Sequence, residues 1–564
     1  MTKELAPDRR SHRLALAALL AFTLVNSLCA ARWGMPDGAT AETSSPWAID
    51  AIAPLGPLNE AYHRFSRAGI ESVIYPVFHY AVLAAAYAPY VAYALATGRL
   101  AGPSAEFPFG ATDPGAFFVH LSWLASLVSA LMAAGCVVCV YLIACETSGR
   151  RTALWAAMFA ALVPPLAYYG ASSNLDVPYL FWMLLAVWQL VRAATRQQTW
   201  SYVLCGAFAS VAVATKDQAA GFFVFFPLLV PWLLYVDLRS RTGDARGRAA
   251  MFATLLQDRR LWLAALAALV VFVLANNLVT GLEGYRRHLR FADELYAANV
   301  ASSGPGLLER QPALLARSAA LLVQMVGPPT LLLAAAGIWL ALRERRWLAL
   351  LPVLCALGYY VSMIAPTVSH SRYFIGVTLL LAPLAARAVV AGLEAPRRGW
   401  RAAVLATTVA AMICQALLLL HLHQTLARDS RYAMERWIRA HVPAGATIES
   451  STQARYLPRL ADRYRYSIVG NSFSATRYAL VGSELTSSAL RARAPDYVLV
   501  LEDSWLSGDP TRVYEPRVRA YYEALLAGDA GYQTVARFAT PTWLPWRQIT
   551  AGTQPTCILL RRRS

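Results

Sequence analysis

Ser172-Ser-Asn-Leu-Asp-Val-Pro178 is a short polar break between two apolar runs, residues 152–169 and 178–194. Each run approaches the roughly 20 apolar residues that a bilayer-crossing helix needs. The break therefore reads as an outer turn between two membrane spans, with Asp176 a carboxylate held at membrane level. Outward from it lie comparable runs near 14–31, 118–145, 201–216, 218–236, 261–280, 318–341, 348–365, 373–391 and 402–423. Composition agrees, since 57% of the 564 residues are hydrophobic and only 15% charged. Soluble domains run near about 25% charged, which excludes a soluble enzyme of this size. Eight cysteines in the whole chain also exclude a disulfide-dense class. The net charge of +18 hints at nucleic acid until the charges are sorted by span.

Sorting follows the tendency of Lys and Arg to stay on the cytoplasmic side. Basic clusters stand at Lys3/Arg9/Arg10/Arg13, Arg150/Arg151, Arg192/Arg196, across 237–260, at Arg343/Arg345/Arg346 and at Arg397/Arg398/Arg401. All six fall on one face if about eleven spans cross, with the N-terminus cytoplasmic and the C-terminus outside. The count works only if one more apolar stretch, 73–96, does not cross. That stretch carries Pro76, Pro89 and five tyrosines, and reads as a juxtamembrane helix on the outer side. The first run, with basic flanks and no clear cleavage site, reads as an uncleaved anchor.

The predicted fold class is an α-helical polytopic membrane protein with a small C-terminal α/β extracytoplasmic domain. A membrane domain covers 1–423, including the outer loop 32–117, and the α/β domain covers 424–564. In the latter, Ser430 reads as the N-cap of a helix at 430–441, and 516–527 as another helix. Thr447–Ser450, Tyr497–Leu501 and Cys557–Leu560 read as strands.

Ionisable groups at membrane level are costly and are candidates for function. Asp37 and Glu42 follow the first span, where a partly desolvated carboxylate can act as a general base or be simply a loop acid. Asn174 and Asp176 lie at the mouth of the helix containing Pro178, where capping is the competing role. Lys216 is one of only two lysines in an Arg-rich chain, so a compact cation for phosphate is one reading and a Lys216–Asp217 turn closure the other. Tyr285-Arg286-Arg-His288-Leu-Arg290 is a basic outer segment, suited to lipid phosphate or to a solvated helix face. Arg372, in His370-Ser-Arg-Tyr373, can clamp a phosphodiester, pair with Asp176 or snorkel to the headgroups. Cys136 and Cys139 read as helix core, and no zinc, Walker or Ser-His-Asp pattern occurs.

The order of these features resembles the GT-C superfamily of membrane glycosyltransferases, within it the protein O-mannosyltransferase and aminoarabinose transferase family. The resemblance covers roughly residues 10–425. It runs through Pro36-Asp37, Tyr75-Pro-Val-Phe-His79-Tyr80, Asp113-Pro114, Gly149-Arg-Arg151, Asn174-Leu-Asp176-Val-Pro-Tyr179, Lys216-Asp217 and His370-Ser-Arg372-Tyr373. It departs where Gly38 stands in place of the family's second acid and Val77 in place of a second proline. The resemblance implies inverting transfer of a sugar from a polyprenyl-phosphate-linked donor to a lipid, polysaccharide or protein acceptor outside the cytoplasmic membrane. Asp37 (or Glu42) would be the base and Asp176 a second acid. Lys216, Arg372, Arg286 and His288 would face the donor phosphate, and Tyr75, His79, Asn174, His370 and Tyr373 the substrates. No metal or other cofactor is expected, and no nucleic-acid partner. A transporter or flippase for a lipid-linked or anionic substrate is the alternative, against which stand the lack of an internal repeat and ionisable groups at span ends rather than centres. A non-catalytic scaffold is the third reading, kept open by Gly38.

Overall fold

The computed structural model describes residues 9–66, 71–102, 104–242, 254, 256–301, 306, 308–367, 370–469, 485–501, 516–544, 553 and 555–563. Helix α1 (Arg9–Ala30) leads into a long loop that holds α2 (Leu55–Ser66) and α3 (Phe78–Ala96). The next four are α4 (Pro114–Ser148), α5 (Arg150–Ala161), α6 (Pro164–Tyr169) and α7 (Asp176–Arg196). After α8 (Thr199–Thr215) comes a 3₁₀ segment, Asp217–Phe223, and then α9 (Phe226–Thr242), α10 (Arg259–Ala275) and α11 (Leu282–Ala301). The membrane part closes with α12 (Gln311–Val326), α13 (Pro328–Arg343), α14 (Trp347–Tyr359), α15 (Ile375–Leu393) and α16 (Arg398–Ala427).

Local chemistry sets several of these boundaries. Asp113 starts α4: its Oδ1 accepts from the Ala116 amide at 3.0 Å, and Pro114 occupies the first helical position. The run 152–169, expected as one span, breaks at Leu162-Val163, because Pro164-Pro165 cannot continue the ladder of α5. The run 318–341 is also not straight: α12 and α13 meet at 110° across Gly327. Gly327 has φ +79°, and two prolines follow it. The stretch 73–96 is helical only from Phe78, since Pro76 disfavours helix at Tyr75.

Among the described residues seven helices are long and apolar enough to cross a membrane, or eight if the bent pair is one span. The other three expected spans fall on the broken α5–α6 and on α8 and α10, each of 17 residues, the short end of spanning length. Helix α3 is not among those that qualify. The core is formed by α7 packed on α4 and α8, with α15 against α13, α5 and α4. Small residues allow close approach, as at Gly337, where a Cβ would fall 1.9 Å from the Leu384 carbonyl oxygen.

The C-terminal domain opens with α17 (Ser430–His441) and adds α18 (Ser487–Arg493) and α19 (Pro516–Ala527). Its strands are β1 (Thr447–Ser450), β2 (Arg465–Ile468), β3 (Tyr497–Leu501), β4 (Tyr532–Ala539) and β5 (Thr556–Arg562), in the order β2-β1-β3-β5-β4. The pairs β2–β1 and β1–β3 are parallel, and β3–β5 and β5–β4 antiparallel. Both faces are buried, as the alternation of β3 requires: Val498 and Val500 join Leu490, Tyr521 and Leu525 on one side. Tyr497, Leu499 and Leu501 join Met434 and Ile438 on the other. The N-cap of α17 is Asp429 rather than Ser430. Its carboxylate accepts from the Arg431 amide at 2.9 Å and also pairs with the Arg431 guanidinium, so the cap lies one residue earlier while the helix keeps the expected bounds 430–441.

Candidate functional site

Two carboxylate–cation pairs meet where helix ends converge. Asp176 lies in the first turn of α7, fully buried, and its side chain does not cap the helix. Instead Oδ1 accepts from Lys216 Nζ at 2.6 Å, and Oδ2 accepts from Asn174 Nδ2 at 3.0 Å. The Asn174 Oδ1 in turn accepts the Asp176 amide at 3.0 Å, which fixes the loop before α7. Lys216 follows the last turn of α8, so the helix-ending residue of one element reaches the helix-opening residue of another. Its ammonium stands 5.7 Å from the ring centre of Tyr179 and 6.0 Å from that of Tyr75, cation–π distances that reinforce its position. Lys216 thus does not close a turn with Asp217.

Arg372, just before α15, pairs with Asp50 rather than with Asp176. The two pairs are neighbours, because Tyr75 and Tyr169 each feel the charges of Asp50, Asp176 and Arg372. Enclosure and then the Asp50 charge push the Tyr75 phenol well above its ordinary value, so it stays a neutral hydrogen-bond donor. Tyr373 lies beside the Arg372 guanidinium, 5.6 Å from it, and against His370, with ring centres 5.4 Å apart. The arrangement offers two cations for an anionic group and two carboxylates for a proton, inside a wall of tyrosines.

Asp50 escaped the sequence reading. It lies in Pro46-Trp47-Ala-Ile-Asp50, in a loop long enough that an acid carries no desolvation signal, and Pro36-Asp37 nearer the first span drew the attention. Asp37 faces the C-terminal domain, where the buried Arg459 feels its charge. Burial lowers the Arg459 pKa to about 10, and Asp37 acts against that shift. The second carboxylate oxygen of Asp37 is buried without a hydrogen-bond partner among the described residues. Glu42 is exposed on the rim of an open cleft of about 970 Å³ that Gln453, Arg455 and Arg465 also line. His79 is buried in α3 with neither ring nitrogen hydrogen-bonded among the described residues.

The basic segment 285–290 divides by helix face. Arg286 and Arg290 are exposed and pair with Glu283 of their own helix α11, at 3.8 and 3.2 Å. Arg287 pairs with Glu71. His288 points inward, with Nδ1 2.8 Å from the Val73 carbonyl oxygen and Nε2 3.0 Å from Asp217 Oδ2. Both partners are acceptors, so both ring nitrogens donate and the imidazolium is favoured. Burial alone would lower the pKa, but the Asp217 hydrogen bond and charge, with the Val73 carbonyl, outweigh it and raise the value above 6.5. A raised folded pKa means that this tether stabilises fully below the unfolded value and is lost as pH rises through the folded one. Hydrogen exchange of α11 should therefore accelerate, beyond its intrinsic rate, between about pH 6 and about pH 9, and His288→Leu should flatten the difference. The same pH response in both proteins would contradict the tether.

Comparison with known proteins bears on residues 116–276, which match the family described as Dolichyl-phosphate-mannose-protein mannosyltransferase. The likeness read from the sequence is met by this match. No curated protein sequence matches significantly. Among solved structures, ArnT from Cupriavidus metallidurans bound to undecaprenyl phosphate is similar at 15% identity and TM-score 0.49, covering 97% of each chain. The Archaeoglobus fulgidus oligosaccharyltransferase tethered with an acceptor peptide is similar at 12% identity and TM-score 0.49, over 95% of this chain and 74% of that one. The mycobacterial arabinofuranosyltransferase AftD is similar at 16% identity and TM-score 0.40, over 99% of this chain and 42% of that one.

Proposed function

We propose that this chain, a multi-pass membrane protein whose residues 116–276 match the dolichyl-phosphate-mannose-protein mannosyltransferase family, is a glycosyltransferase that uses a polyprenyl-phosphate-linked sugar. The reaction is placed on the outer face of the cytoplasmic membrane, with the N-terminus inside and the C-terminal domain outside. The observation that carries this reading is the juxtaposition of Asp176–Lys216 with Asp50–Arg372 at the ends of apolar helices. A lipid-borne donor has its phosphate at the membrane surface and its chain among the helices, which is where two cations beside apolar spans can meet it.

In the proposed displacement the acceptor oxygen bonds to the anomeric carbon as the bond from that carbon to the phosphate oxygen breaks. The bonding pair leaves with the phosphate, the acceptor proton passes to a carboxylate, and the configuration inverts. Asp50 takes the role of base that the resemblance gives to Asp37. Arg372 and Lys216 offset the charge that grows on the leaving phosphate, the interaction that lowers the barrier because it strengthens in the transition state. Asp176 holds the Lys216 ammonium in place and orients the substrates with Asn174. The reading uses no metal.

The test is transfer of labelled sugar from polyprenyl-phosphate donors to acceptor in vesicles containing the full chain, with EDTA present. Arg372→Met should lower the rate by about 10²–10³-fold, the usual effect of removing one transition-state donor. Donor movement across the bilayer with no new glycosidic bond would overturn the reading in favour of a flippase.

A further inference from the structure

We infer that the C-terminal domain completes the catalytic site, with Tyr456 and Arg455 as positioning residues that hold Asp50 in place. The inference rests on the reading of Asp50 as the base. Asp50 has φ +58°, the left-handed region that a residue with a Cβ enters at a cost and keeps only where its surroundings over-determine it. Its surroundings do so from three sides. The Tyr168 hydroxyl is hydrogen-bonded to the backbone at Ile49. The Tyr456 phenol lies at the Asp50 backbone and feels the Asp50 charge. The Ala51 carbonyl accepts from Arg455 Nη2 at 3.1 Å, and the Ile52 amide donates to the Ser173 carbonyl at 3.3 Å. Arg372 takes the carboxylate.

Two of these five restraints come from a single turn of the C-terminal domain, Ala454–Tyr456. That turn is itself clamped to the membrane domain. Across the boundary the Leu457 carbonyl accepts from Trp47 Nε1 at 2.8 Å, while within the domain the Tyr456 carbonyl accepts from Arg431 Nη1 at 3.2 Å. Arg431 is buried, stands 4.1 Å from the Trp47 ring centre and 5.1 Å from that of Trp33, and is held by Asp429. Two residues further on, Arg459 donates to the carbonyls of Met35, Gly34 and Ser45. The outer loop and the domain thus interlock on both flanks of Asp50, and the turn 454–456 presses on the backbone of the proposed base. A domain serving only as a cover would need none of these bonds to fall on residues 50 and 51.

The experiment compares the full-length wild type, Tyr456→Phe, Asp50→Asn and the double variant, with Arg455→Gln as a second probe. Tyr456→Phe removes one oxygen, and should lower kcat about ten- to a hundredfold with little change in the donor KM, since it disturbs geometry rather than uniform binding. If Tyr456 acts through Asp50, the double variant is no slower than Asp50→Asn alone. Hydrogen exchange of the peptide spanning 47–53 should rise in Tyr456→Phe and in Arg455→Gln, while that of α17 stays as in the wild type. This second readout needs no turnover. Wild type without transfer activity sinks the proposed function yet leaves the restraint measurable. An unchanged 47–53 peptide, or effects of Tyr456→Phe and Asp50→Asn that multiply in the double variant, overturns the positioning role.

Discussion

Lys216→Met is expected to abolish sugar transfer and to destabilise the protein by about 3–5 kcal/mol, the usual cost of removing one partner of a buried ion pair. The side chains of Lys216 and Asp176 are only 7% and 1% exposed, and their charged atoms are 2.6 Å apart. Without the ammonium, the buried Asp176 keeps, among the described residues, only the Asn174 amide as a side-chain donor. The pairing of Lys216→Met with Asp176→Asn separates the two consequences. The double variant removes the uncompensated charge and should recover much of the thermal stability lost by Lys216→Met, with no recovery of transfer. Lys216→Arg keeps the charge but replaces a compact ammonium with a planar fork, and should retain the fold better than the rate. Thermal unfolding in detergent and vesicle transfer assays read the two effects. A Lys216→Met protein that melts and turns over like wild type refutes the assignment.

Asp50→Asn is expected to lower transfer by about 10²–10⁴-fold, the range for loss of a general base, while Asp37→Asn should cost far less. The two carboxylates differ in their surroundings. Asp50 pairs with Arg372 and shares Tyr75 and Tyr169 with Asp176, whereas the charge of Asp37 acts on Arg459 of the C-terminal domain. Asparagine keeps the shape of the side chain at position 50 and its tolerance of positive φ, so the loss should fall on kcat rather than on folding. The contest is decided by measuring both variants with the same donor and acceptor. If Asp37→Asn is the inactive one, the base lies at the domain boundary and the role of Asp50 is electrostatic.

Asp176, Lys216 and Arg372 were legible in the sequence because a charge beside an apolar run must be compensated, and that cost marks it without knowledge of its partner. The strands at 447–450 and 497–501 and the helix at 430–441 were legible because local periodicity carries them. The bend at Gly327 and the break before Pro164 were written locally as well, but the apolar count ran through them. The partners were not legible. Asp50 meets Arg372 across 322 residues and Arg455 meets Ala51 across 404. Nothing in the neighbourhood of either end announces such a pairing, and an acid in a long loop outside the apolar runs carries no signal of its partner. The sequence by itself therefore determined that the chain carries a series of membrane-spanning helices and that a segment with strands follows them. Only the tertiary structure decided which carboxylate stands beside Asp176, and that the C-terminal domain holds it there, because contacts between distant segments depend on how helices and loops pack rather than on local pattern.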